Sequence, residues 1–318
     1  MADLSRKLIH VIKEKTPGGT APVDFFIDIL PMKKEAAYRR LRNEIPLTLS
    51  EAVQISENLN VSLDELLKFK EEDTCKMRMM KMQGESLFSG YEKTMQLLVD
   101  SLKIMDSESE VTLYSAANRL PFIFLFNFPT LSRFRLYVSN YQLRKEIMPM
   151  KMSDFIVPNY IRELEKMYVS LVRKYPAHLV WTKDLFASVA IEIQYFSEIN
   201  MLSKDEINKL KDELCALLDM VEHVLVSGKM DNGVPFFAYL SSINIDNSYI
   251  YAKSTNFEAC SINIFGINFF SSLESEFCKN VDNWIQSLAK YSILMSQSGI
   301  IERIDFIKRQ RNFLDTIN

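Results

Sequence analysis

The chain has 318 residues, 47% of them hydrophobic, with 38 Lys and Arg against 41 Asp and Glu. That is an ordinary composition for a globular protein and enough length for two domains. The net charge of −3 argues against broad nonspecific attraction to nucleic acid, and the longest apolar run, PFIFLF at 121–126, falls far short of the roughly 20 residues of a membrane helix.

The opening stretch, MADLSRKLIHVIKEKTP, alternates charged and apolar residues without the apolar run of a signal peptide, so a cytoplasmic protein is expected. Leu4, Leu8, Ile9, Val11 and Ile12 recur at helical spacing and predict a first amphipathic helix. TPGGTAP (16–22) breaks it, and Pro22 suits the first turn of a second helix, VDFFIDIL, that offers Phe25, Phe26, Ile29 and Leu30 to a core. Pro31 cannot continue that helix without losing a backbone hydrogen bond, so the chain should turn there.

Residues 32–48 read MKKEAAYRRLRNEIPLT. Five basic side chains, Lys33, Lys34, Arg39, Arg40 and Arg42, fall within ten positions of a chain that is acidic overall. Helical spacing groups Ala37, Tyr38 and Leu41 on one packing side and turns Lys33, Glu35, Ala36, Arg39, Arg40 and Asn43 away from it. Two more helices are expected in IPLTLSEAVQISENLNVSLDELLKF. Thr48 or Ser50 caps the first, Ile55 and Leu59 pack inward, Asn60 ends it, and Ser62 with Glu65 makes a capping-box pattern for the second.

Five short helices with a tight turn before a basic third one describe a helix-turn-helix domain. On the stretches EAAYRRLRNEIPLT and ISENLNVSLDELL, residues 4–70 resemble the lambda repressor/Cro, or xenobiotic-response-element, family of DNA-binding domains. Pro31 departs from that pattern, standing where many relatives have a Gly-containing turn. The resemblance implies double-stranded DNA as partner, with the segment 33–43 in the major groove. Lys34, Glu35, Ala36, Arg39 and Arg40 would then face base edges, and Lys33, Arg42 and Asn43 would meet phosphates. Arg40 is the candidate for a bidentate guanine contact, worth about 1–3 kcal/mol of discrimination. Glu35 could accept from cytosine N4 or cap the helix start, whereas Tyr38 is expected to pack. Residues 1–70 carry eleven Lys and Arg against ten Asp and Glu, a net of +1, so the positive charge is focused on one element. A single such domain reads few base pairs, which implies a homodimer on a palindrome.

Beyond residue 70 the composition changes. EEDTCKMRMMKMQGESL is charged and rich in Met, and reads as a linker and connecting helix over 71–90. Helical periodicity continues through YEKTMQLLVDSLKIM, LSRFRLYVSNYQLRKEI, NYIRELEKMYVSLVRKY, WTKDLFASVAIEIQYFSEINM and DEINKLKDELCALLDMVEHVLVSGK, punctuated by Pro176, Asn200 and Gly228. Residues 234–270 differ: alternation in SINID and YIYAK about an Asn-Ser turn predicts a small antiparallel sheet of two or three strands. Two helices close the chain, SEFCKNVDNWIQSLAKYSILMSQ and IIERIDFIKRQRNFLDTIN. The expected class is therefore mainly α, a five-helix domain (1–70) followed by a larger helical domain (91–318) for dimerisation or sensing. In LPFIFLFNFPTLSRFRLYVSNYQ, AIEIQYFSEINM and NWIQSLAKYSILMSQSG this region resembles regulators of Bacteroidetes-type bacteria, in which such a domain precedes an uncharacterised helical region.

Nothing points to catalysis. Eight glycines, no GxGxxG, no GxxxxGK[ST], and no GxSxG or HExxH leave no phosphate cradle or nucleophile motif. Cys75, Cys215, Cys260 and Cys278 are scattered, as are His10, His178 and His223, so neither a disulfide framework nor a metal site is expected, and no cofactor. The aromatic band Phe122–Phe128 with Phe134, Tyr137 and Tyr141 reads as core, or as the lining of a pocket for a small apolar effector. Phe236, Phe237, Tyr249 and Tyr251 read as sheet core or dimer surface. The leading expectation is a sequence-specific transcriptional regulator whose C-terminal part dimerises and senses a small-molecule or protein effector. The rival is a protein-interaction adaptor that uses the same helical frame without DNA.

Overall fold

The computed structural model describes residues 2–15, 21–59, 61, 63, 75–80, 87–143, 150–264 and 266–317. The chain divides into two compact units, Met1–Thr74 and Cys75–Asn318.

The first unit is helical. Helices α1 (Ala2–Lys15), α2 (Pro22–Ile29), α3 (Lys34–Leu41) and α4 (Leu49–Leu59) surround one apolar core. That core is Leu8, Ile9 and Ile12 from α1, Val23 and Phe26 from α2 with Leu30 just past it, Ala37 and Leu41 from α3, and Ala52, Ile55 and Leu59 from α4. Pro22 occupies the first turn of α2, where its missing N–H costs nothing, and the chain turns at Leu30–Lys33 around Pro31. The expected fifth helix, its Ser62–Glu65 capping box and the stop at Asn60 lie outside the described residues.

The second unit overturns the mainly α expectation. It is an α/β fold built on an eight-stranded mixed sheet in the order β1-β7-β6-β5-β2-β3-β4-β8, not a helical domain with a small antiparallel sheet. The strands are β1 (Arg78–Met80), β2 (Thr112–Ala117), β3 (Ala177–Trp181), β4 (Phe236–Leu240), β5 (Tyr249–Lys253), β6 (Glu258–Ile264), β7 (Asn268–Ser272) and β8 (Ile293–Leu294). β2, β3 and β4 run parallel, with Leu179 opposite both Ser115 and Ala238. The expected hairpins survive as the antiparallel meander β5-β6-β7, but that meander extends the parallel centre through the β2–β5 pairing. SINID (242–246) lies outside any strand; the strand there is the preceding FFAYL. The connecting-helix reading fails at Arg78–Met80, which pairs as β1 with β7, and residues 71–74 and 81–86 lie outside the described residues.

Two cores flank the sheet. The larger holds helices α5 (Leu87–Met105), α6 (Phe122–Leu125), α7 (Pro129–Leu143), α8 (Asn159–Val172), α9 (Ala187–Glu198), α10 (Lys204–Ser227) and α12 (Ile300–Asp315). The smaller holds α11 (Ser275–Lys290). Strand β3 shows why the sheet escapes pattern reading. Ala177, Leu179 and Trp181 enter the large core and Val180 the small one, so both faces are apolar and no alternation remains. Most of the aromatic band is core: Phe124 packs edge-on to Trp181 and Phe236, and Phe134 and Tyr137 pack against Phe196, whereas Phe122 and Phe128 are half-buried and Tyr141 is exposed. Buried Glu165 on α8 accepts hydrogen bonds from Tyr91 of α5, Ser132 of α7 and Arg162, which joins three helices through one carboxylate. α10 starts with a Ser203–Glu206 capping box and ends at Gly228 in the left-handed region (φ 63°), the stop expected from the sequence.

Candidate nucleic-acid interface

The candidate site is α3 with its two flanking turns. Lys33 is the N-cap residue, and its carbonyl accepts from the Ala37 N–H. With Ala37 and Leu41 pointing into the core, the 100° step of an α-helix places Arg39 diametrically opposite them and leaves Tyr38 and Arg40 about 80° off on either flank. The side chains follow that wheel.

Lys33, Lys34, Glu35, Arg39 and Arg42 are exposed, and Ala36 is half-buried. Lys34 reaches back to Asp24 of α2, Nζ to Oδ1 3.3 Å. Arg39 and Arg42 share Glu44 at 3.6 Å each, and Arg42 also lies over the Tyr38 ring, 5.8 Å from its centroid. Exposed pairs of this kind are worth about 0–1 kcal/mol and give way readily to a phosphate. Tyr38, expected to pack, is 41% exposed. Asn43 sits in the left-handed region (φ 59°), with its N–H donating to the Arg40 carbonyl at 2.7 Å, so its identity is explained by ending α3.

Arg40 departs from the expected outward set. Its Nη2 lies 2.8 Å from Glu51 Oε1 on α4, and the two side chains are only 17% and 14% exposed. The other oxygen of Glu51 accepts the Thr48 N–H at 2.8 Å, while the Glu51 N–H donates to Thr48 Oγ1 at 3.3 Å, a capping box at the start of α4. One carboxylate thus caps α4 and ties α3 to it through Arg40, whose side chain is turned to α4 rather than outward. The Arg40–Glu51 bond has no local sequence signal; of the two cap candidates, Thr48 and Ser50, the structure uses Thr48, and Thr48-x-x-Glu51 is the S/T-x-x-E pattern that marks it.

Burial alone would raise the Glu51 carboxyl; the hydrogen bonds from Arg40 and Thr48 outweigh it and hold the pKa below the ordinary value. A depressed folded pKa stabilises at pH above the unfolded value, and that contribution disappears as pH falls through the folded one, below about pH 4. Glu51→Gln should therefore weaken protection of the Ile55 amide in native-state hydrogen exchange at pH 7 and bring it closer to wild type at pH 3. Arg40→Ala should cost the unit about 1–3 kcal/mol by leaving a half-buried carboxylate unpaired.

His178 is stacked between Tyr114 and Phe237, ring centroids 5.2 and 4.5 Å away, and burial lowers its pKa. Burial pushes the Cys260 and Cys278 thiols up to about 12 and about 11, away from the reactive thiolate. Among the described residues there is no group of three or more His, Cys, Asp or Glu placed to hold a metal, and no helix is long and apolar enough to cross a membrane. No family model, curated protein or solved structure matches this chain.

Proposed function

We propose that this chain is a sequence-specific, double-stranded-DNA-binding transcriptional regulator of the bacterial cytoplasm, with α3 as the element that enters the major groove. The observation that carries the reading is the outward arc of α3. Glu35 and Arg39 are exposed on the side away from Ala37 and Leu41, and Lys33, Lys34 and Arg42 are exposed around them, held only by surface pairs with Asp24 and Glu44, after a short helix and turn. In this reading Arg39 and Lys34 read base edges, Lys33 and Arg42 meet phosphates, and Arg40 with Glu51 sets the pitch of the helix. Two copies act together on a palindrome, and the Cys75–Asn318 unit supplies dimerisation and any effector response. Genome-wide footprinting of the tagged protein should return inverted repeats with centres about one helical turn, roughly 34 Å, apart. Recovery of no enriched motif would reject the proposal.

One observation favours an adaptor instead. Leu49 and Val53, one turn apart on α4, are both exposed, an apolar pair suited to protein contact. Co-purification of a stoichiometric protein partner, with no nucleic acid retained at low salt, would select that reading.

A further inference from the structure

The first turns of α12 carry an unusual surface. Ile300 is 61% exposed, Ile301 72% and Ile304 59%, whereas Phe306, Ile307 and Leu314 of the same helix are buried. The isoleucine stripe continues onto the sheet edge. A Cβ at Gly299 (φ 58°) would stand 2.4 Å from the Leu294 carbonyl oxygen and 3.4 Å from Ile293 Cγ2, so α12 begins pressed against β8 and Ile300 follows directly from exposed Ile293. Tyr291, just before this edge strand, is 72% exposed. A contiguous apolar surface on a helix and an adjoining edge strand is a docking face.

Charge identifies the occupant. Most cations of α12 have partners within the chain: Arg303 donates to the Met295 and Ser298 carbonyls, Arg309 pairs with Asp184, and Arg311 pairs with Asp219 and Glu222. Asp305 and Lys308 are exposed and have no partner among the described residues, and they lie on the stripe itself, because 301, 304, 305 and 308 share one helical face. A parallel pairing of two such faces would set Lys308 on Lys308 and Asp305 on Asp305. An antiparallel pairing brings Asp305 of each copy within about one helical turn of Lys308 of the other and lays the Lys308 methylenes on Ile301. The face is complementary to itself under a two-fold axis, the commonest symmetry of soluble dimers.

We propose that α12 and β8 form the isologous interface with a second copy of this chain. The two-copy requirement of the DNA-binding reading is met by it, but the interface stands on the apolar stripe and its charges, and its test contains no DNA. In sedimentation equilibrium the full-length wild type should be a dimer at low micromolar concentration. Ile301→Asp with Ile304→Asp should weaken dimerisation at least hundredfold while leaving the melting temperature of the monomer intact. Asp305→Lys and Lys308→Asp should each weaken it about tenfold, and the two together should restore it; these surface changes do not touch the core. A monomeric wild type, or a dimer indifferent to the isoleucine pair, would overturn the interface. Dissociation by the isoleucine pair without rescue by the charge exchange would overturn its antiparallel form. Loss of DNA binding in an intact dimer would count against the functional reading alone.

Discussion

Trp181→Ala should cost the Cys75–Asn318 unit about 3–5 kcal/mol, the largest single loss expected in the chain. Trp181 ends β3 fully buried, edge-on to Phe124, stacked on Phe306 and tilted against Phe236, with ring centroids 6.0 Å away in each case. Its removal opens a cavity where the sheet, α6 and α12 meet. Trp181→Phe should cost far less. The indole Nε1 is buried and meets no acceptor, so phenylalanine keeps most of the packing and removes an unsatisfied donor. Urea unfolding can follow both variants through Trp284, the chain's other tryptophan, which packs edge-on to Tyr249. A midpoint equally depressed in both would show that the indole nitrogen matters to the core.

The second large effect belongs to DNA. Lys34→Ala, Arg39→Ala and Arg42→Ala together should weaken operator affinity about 10²–10³-fold at 0.1 M salt, since each lost contact is worth about 1 kcal/mol or more. The melting temperature should barely move, because these side chains make exposed pairs with Asp24 and Glu44 and, for Arg42, an exposed contact with the Tyr38 ring. Arg40→Ala should do the reverse, lowering stability first and affinity only through the misplaced helix. The contrast separates a reading face from its support.

Local signals carried the first unit. Pro22, Pro31, a cap at Thr48 or Ser50 and the 3.6-residue spacing of Leu8, Ile12, Ala37 and Leu41 are short-range features, and the first four of the five expected helices are observed among the described residues. Tyr38 and Arg40 were misplaced because both lie on flanks, where a pattern counts neither side as buried; Glu51, eleven positions on, decides which flank is covered. The sheet of the second unit was hidden for another reason. β2 and β3 are five or six residues long with neighbours on both edges and helices on both faces, and β1 and β8 are three and two residues long. Such strands acquire their identity from distant partners, β3 from Tyr114 and Phe237 as much as from itself. In WTKDLFASVAIEIQYFSEINM the helical period extends back to Trp181, yet Trp181 ends β3 and the helix begins only at Ala187.

The most direct test is the salt dependence of operator binding by the full-length protein. The logarithm of affinity should fall steeply and linearly with the logarithm of salt concentration, and the Lys34, Arg39 and Arg42 variant should show a slope shallower by about 0.9 for each cation that met a phosphate. Affinity that is flat with salt, or a slope that this variant leaves unchanged, would contradict a DNA-reading α3.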